Sequence, residues 1–240
     1  MGTRIARDEI EFSGKLLYSC LMNDFLLAPD EVHVWQVGLE GGPEKLSQYR
    51  GWLSEDEIER ADRFLKDEHR YRFTVARGLL RQLLGEYLRA APEGLRFSYA
   101  SGGRPFLTGN FPRPVPDFNL AHSGGAALFA FALNREVGID VEAFREGVDE
   151  AAIAKRYFHP QEVEALLGLP DSERRREFFR LWTRKEAYLK AGGEGMSGIA
   201  RRPEDDAKYR VLSLDLGDDW AAALAYSGPE ARLSLRNGIE

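Results

Sequence analysis

The chain has 240 residues, 43% hydrophobic and 30% charged, enough to bury a real core in one or two units and unlike a disordered chain. A formal charge of −6 argues against general nucleic-acid binding, the single cysteine, Cys20, excludes an internal disulfide, and four scattered histidines without cysteine partners give no zinc pattern. No stretch approaches the roughly 20 apolar residues of a membrane span, and the opening MGTRIARDEIEF carries acids where a signal peptide is apolar, so a soluble cytoplasmic protein is expected.

In chain order, residues 1–30 read as an arm outside the main pattern. EVHVWQVG, residues 31–38, alternates like a strand and runs into a turn-rich GGPEKL. LSEDEIERADRFLKDEHRYRFTVARGLLRQLLGEYLRA then reads as one or two helices, started by Ser54 as N-cap with Glu57 completing a capping box. Residues 60–81 of this segment hold seven Lys or Arg against three acids, a patch suited to a small polyanion. If it were one unbroken helix, Arg63, Arg70, Arg77 and Arg81 would share a face with Arg72 opposite, so not all of them reach one ligand. Arg77 and Arg81 are expected either to pair with acids such as Glu86 or to bridge between halves. LRFSYA, RPFL, FNLAHS and AALFAFAL follow as short strands of an antiparallel sheet, with a Pro-rich bend among them.

The order then repeats: a strand EVGIDVEAF, helical material over 149–191, strands KYRVLSLDL and WAAALAYS, and a last apolar run ARLSL. Aligning Phe73 with Phe178 sets the two long helices side by side, with Arg81 opposite Glu186. The pattern predicts an α+β protein of two similar halves, residues 31–134 and 135–240, in a pseudo-twofold arrangement. Each half is expected to pack a small antiparallel sheet with a long helix, and the junction is the natural place for a site.

In the strand GIDVEAF, Asp140 and Glu142 point to one face while Ile139 and Val141 point to the other. Two carboxylates roughly 7 Å apart repel, more so if buried. Three solutions are open: an Arg or Lys from a neighbouring helix, exposure at a sheet edge, or a hard divalent cation that takes carboxylates and shares its shell with phosphates. In WTRKEAYLK, Trp182, Glu186 and Lys190 recur every four residues on one helical face. Glu186 and Lys190 make either an ordinary surface pair or, with Trp182 covering the stripe, a third carboxylate and a cation for a site. SGGRPFL presents Arg104 on a turn before Pro105, and FNLAHSGG presents His122 at a strand end, where it either caps the core or meets a phosphate.

FNLAHS, then GIDVE fifteen residues beyond Ser123, then WTRKEAYLKAG, taken in this order, resemble the motif set of the 4′-phosphopantetheinyl transferases of the longer, pseudo-dimeric Sfp type. The resemblance runs from about Val32 to the end; Ala121 departs from it, since many relatives place Ser before the His, so one phosphate hydrogen bond is in doubt. It implies transfer of the phosphopantetheine arm of coenzyme A to a serine of an apo carrier protein, with release of 3′,5′-ADP. It also implies that Asp140, Glu142 and Glu186 hold Mg²⁺, or Mn²⁺, which oxygen ligands serve equally. Glu186, directly or through a water, takes the serine proton, and Lys190 protonates or neutralises the departing phosphate. Coenzyme A is expected on Arg60, Arg63, Arg72, Arg104, His122, Ser123, Lys185 and Lys190. The implied partner is an acyl or peptidyl carrier protein, with neither nucleic acid nor membrane, and fusion of both halves in one chain implies a monomer. A coenzyme A-binding protein without chemistry, or a Mg²⁺-dependent phosphohydrolase, is the alternative.

Overall fold

A strand whose residues are apolar on both sides must be covered on both sides, and β1 (Glu31–Gly38) is: Val32 and Val34 face one apolar layer, Trp35 and Val37 another. This computed structural model describes residues 25–40, 42–100, 103–193 and 195–238. The expected arm as far as residue 24, with Cys20, lies outside them, while Phe25 stacks on Trp35.

After β1 come three helices, α1 (Pro43–Trp52), α2 (Glu55–Asp62) and α3 (Asp67–Leu88), then β2 (Arg96–Tyr99), β3 (Pro105–Thr108), β4 (Asp117–Ser123) and β5 (Ala126–Ala132). The second series is β6 (Val137–Ala143), α4 (Glu150–Tyr157), α5 (Pro160–Leu167), α6 (Asp171–Gly192), β7 (Tyr209–Leu214), β8 (Trp220–Ser227) and β9 (Arg232–Asn237). The expected turn at GGPEKL is the start of α1, where Pro43 sits in the first helical turn with its φ already suited to a helix. The basic segment splits in two because α2 folds back, bringing its capping-box residue Glu57 against α3. The helical material after residue 149 is three helices, broken ahead of Pro160 and at Pro170.

The chain is a mixed α+β protein. Its strands form a sheet of order β4-β5-β1-β9, a three-stranded antiparallel sheet β6-β8-β7, and the hairpin β2-β3. The first sheet is not purely antiparallel as expected: β9, counted with the second half by sequence order, lies parallel to β1, with Val32 opposite Leu233 and Val34 opposite Leu235. The two sheets share an apolar layer in which Val34, Leu128 and Ala130 meet Ile139, Val141 and Leu224. The outer face of the first sheet is covered by α3 through Leu79, Leu80, Leu83 and Leu84, and that of the second by α6 through Ala187 and Ala191. Both covering helices have 22 residues.

Where the two sheets meet, β4 runs alongside β6, and side chains do the joining. Asp117 Oδ2 accepts from Val137 N, Asn119 Oδ1 from Ile139 N at 2.9 Å, and Ser123 Oγ from Ala143 N, each pair 20 residues apart. The constant offset fixes the register of one strand against the other, so the ends of β4 and β6 are held level. Among the described residues no helix is long and apolar enough to cross a membrane.

Candidate active site between β6 and α6

With Ile139 and Val141 committed to the shared apolar layer, Asp140 and Glu142 face the opposite way, toward α6. Gly138 lets that helix lie directly on the strand: a Cβ there would overlap the carbonyl of Ala187 and the backbone of Ala191. The close approach brings Lys190 Nζ to 2.6 Å from Asp140 Oδ1. The partner of Asp140 is therefore a lysine from the neighbouring helix.

The pairing is incomplete. Asp140 is buried, and its second oxygen, Oδ2, has no hydrogen-bond partner. The Asp140 pKa is raised to about 7: burial raises it most, Lys190 opposes that, and the charges of Glu186 and Glu142 add to it. Burial also raises the Glu186 carboxyl, opposed by Lys190 and reinforced by Glu142. Glu142 accepts a hydrogen bond from Ser123 Oγ at 2.9 Å, so the end of β4 orients the end of β6. His122, beside Ser123, is open to water yet crowded by protein, and burial with the cations Lys190 and Arg72 lowers its pKa below the usual 6.5. Lys190 thus acts on Asp140, on Glu186 and on His122, and ties them to one place.

A model of the 4′-phosphopantetheinyl transferase superfamily matches residues 136–235, the span that contains β6 and α6. The chain is 42% identical over 213 residues to the 4′-phosphopantetheinyl transferase HetI of Nostoc sp., covering 84% of this chain and 90% of that protein. The chain belongs to the 4′-phosphopantetheinyl transferase superfamily. It is 38% identical to a putative 4′-phosphopantetheinyl transferase of Synechocystis sp. over 71% of this chain and 70% of that one, and 29% identical to the 4′-phosphopantetheinyl transferase Sfp of Bacillus subtilis over 73% and 76%. It is accordingly a transferase.

Whether the transferase's carboxylates suit a divalent metal is a question of donors. As the side chains stand, no three His, Cys, Asp or Glu residues among those described are gathered as a metal site. Asp140, Glu142 and Glu186 nevertheless offer only hard oxygen donors, as Mg²⁺ and Mn²⁺ prefer, and the orphaned Asp140 Oδ2 lacks a positive partner. The donor set fits such an ion.

The remaining residues expected on the coenzyme A side fall into distinct groups. Arg63 is well exposed, with its guanidinium 3.4 Å from Glu59. Arg72 is paired with Glu68 at 2.6 Å, and its charge reaches His122. Arg60 lies over the Phe73 ring, 5.4 Å from its centroid, on the exposed side of α2. Lys185 lies elsewhere: it is fully buried, 2.8 Å from Glu162 of α5, and donates to the Arg201 carbonyl. One residue of helix is about 100° of rotation, so with Glu186 toward β6, Lys185 is turned into the interior. Arg77 and Arg81 neither pair with Glu86, which is exposed on the far side of α3, nor bridge the halves; both bind the buried Glu57. That acceptor was missed because a capping-box glutamate reads as a surface residue; here it caps α2 through Ser54 N and also receives two guanidinium groups. Trp182, expected to cover the Glu186 stripe, packs instead with Phe158 and Phe178. Arg104 is engaged entirely by protein acceptors, described below.

Proposed function

We propose that the chain transfers the 4′-phosphopantetheine group of coenzyme A to a serine hydroxyl of an apo carrier protein and releases 3′,5′-ADP. The observation that carries this reading is the half-satisfied Asp140, buried beside Glu142 and Glu186 with Lys190 as its one cation.

Arg72, whose charge reaches His122, takes a nucleotide phosphate together with Arg60 and Arg63 of the same basic segment, Arg being suited to bidentate phosphate contact. His122, whose pKa is lowered by burial and by the cations Lys190 and Arg72, gains a proton when an anion arrives beside it and then donates to that phosphate. Asp140, Glu142 and Glu186 would hold Mg²⁺ or Mn²⁺, which would supply Lewis-acid stabilisation of the charge on the pyrophosphate and the leaving group. Ser123 orients the Glu142 carboxylate.

Glu186 accepts the proton of the attacking serine, directly or through one water, a task its raised pKa suits. The serine oxygen bonds to the β-phosphorus as the bond from that phosphorus to the bridging oxygen breaks. The bridging oxygen leaves with 3′,5′-ADP, and Lys190 turns from Asp140 to neutralise it. β4 of the first half and β6 and α6 of the second supply residues to one site, so the working unit is a monomer, in the cytoplasm where coenzyme A and carrier proteins meet.

Intact mass of an apo carrier protein incubated with this protein, coenzyme A and Mg²⁺ tests the reading. One added phosphopantetheine is expected, lost with EDTA and with Glu186→Gln. Coenzyme A consumed while several apo carriers stay unmodified identifies a phosphohydrolase instead, and coenzyme A bound but unchanged identifies a binding protein.

A further inference from the structure

The C-terminal end of α6 carries Lys190, and a helix end leaves its last carbonyls without intrahelical partners. Gly193, in the left-handed region with φ 68°, closes the helix by sending its N–H to Leu189 O, which leaves the carbonyls of Lys190 and Ala191 to be satisfied from outside. Arg104 satisfies both. Its Nη1 donates to Lys190 O at 2.9 Å and to Ala191 O at 3.1 Å. Its Nη2 donates to Asp117 Oδ1 at 2.6 Å, to Phe118 O at 3.1 Å and to Val137 O at 2.9 Å. Asp117 in turn accepts from Val137 N through its other oxygen.

One guanidinium thus joins the end of α6 to β4 and to the first residue of β6. These are the elements that carry Lys190, His122 and Asp140. A cation at a helix C-terminus is also on the favourable side of the helix dipole. The terminal nitrogens, directed at five protein acceptors, are not directed at a ligand, in contrast to Arg63, whose one acid partner is loosely held on the surface.

We infer that Arg104, with Asp117 behind it, is a positioning residue for the transfer reaction: it fixes the end of α6 against β4 and β6 so that Lys190 reaches the site, and it is not a ligand of coenzyme A. The inference rests on the transferase reading above. Loss of the tether lets the helix end shift while leaving Arg60, Arg63 and Arg72 in place. A displacement of about 1 Å at a reacting group is enough to lower turnover on the order of 100-fold.

The test compares Arg104→Ala and Asp117→Asn with the unaltered protein in two measurements, turnover with an apo carrier and direct binding of 3′,5′-ADP. Asp117→Asn removes charge from the clamp at a place away from the phosphate-binding arginines, and it serves if Arg104→Ala fails to fold. Each variant is expected to lose kcat by roughly 10- to 100-fold, Asp117→Asn less than Arg104→Ala, with 3′,5′-ADP affinity within about twofold of the original. Arg104→Ala that weakens 3′,5′-ADP binding tenfold or more while Asp117→Asn changes nothing makes Arg104 a phosphate ligand and overturns the inference, as does an unchanged kcat in Asp117→Asn. Absence of transfer by the unaltered protein overturns the transferase reading itself, a separate outcome.

Discussion

Two buried charge clusters sit on the two long helices, at positions that the internal echo sets against each other. On α3, Arg77 and Arg81 close on Glu57; Arg81 also donates to the carbonyls of Pro92 and Leu95 and to Ser54 Oγ. On α6, the place of Arg81 is taken by Glu186, which faces Asp140 and Glu142 with Lys190 as the nearest cation. The first cluster satisfies its charges internally, as a buried ion pair must if it is to be structural. The second leaves Asp140 Oδ2 orphaned and three carboxylates repelling. Closure sets the first cluster apart as structural, and the orphaned oxygen is what ties the second to the proposed function.

The largest separation between them is in turnover. Glu186→Gln is expected to lower carrier modification by roughly 10² to 10⁴-fold while leaving the melting temperature unchanged or slightly raised, because one of three repelling charges is gone. Glu57→Ala is the reverse case. It leaves two buried guanidinium groups without their acceptor and is expected to destabilise the fold by roughly 3–5 kcal/mol in denaturant unfolding. A Glu57→Ala protein as stable as the original breaks the comparison.

pH supplies the next effect. Asp140 loses its proton near 3.8 as an ordinary aspartate and near 7 in the folded protein. Between those values the folded chain holds a proton that the unfolded chain has released, so stability from this group falls as pH rises from about 4 to about 7 and is level above. The drop is on the order of a few kcal/mol. Asp140→Asn is expected to flatten the slope of unfolding free energy against pH in that window. The same titration gives the transfer reaction an acidic limb near neutral pH, which higher Mg²⁺ moves to lower pH by competing with the proton.

The smallest effect belongs to the proposed phosphate contacts. Arg72→Ala is expected to raise KM for coenzyme A roughly tenfold with kcat little changed. The increase shrinks at high ionic strength, since the contact is screened.

Much of this arrangement was legible in the residues. Alternation in GIDVEAF placed Asp140 and Glu142 on one face, and the four-residue spacing of Glu186 and Lys190 placed them on one side of a helix. Those are local periods, which a sequence states directly. What it did not state was which long-range partner each charge meets. Lys185 and Glu186 are neighbours in the chain but are turned about 100° from each other, and the burial of Glu162 beside Lys185 shows which side is interior. Glu57 looked like a surface cap until α2 folded back on α3. The side-chain joints from β4 to β6, and the parallel pairing of β9 with β1, depend on tertiary docking that no local pattern encodes.

The most direct measurement is titration of Mn²⁺ into the protein with coenzyme A present, followed by electron paramagnetic resonance at pH 6 and pH 8, for the unaltered chain and for Asp140→Asn and Glu57→Gln. The open-cluster account predicts one site per chain, tighter at pH 8 than at pH 6, abolished by Asp140→Asn and retained in Glu57→Gln. A chain that transfers phosphopantetheine while binding no Mn²⁺, or binding it equally well without Asp140, contradicts it.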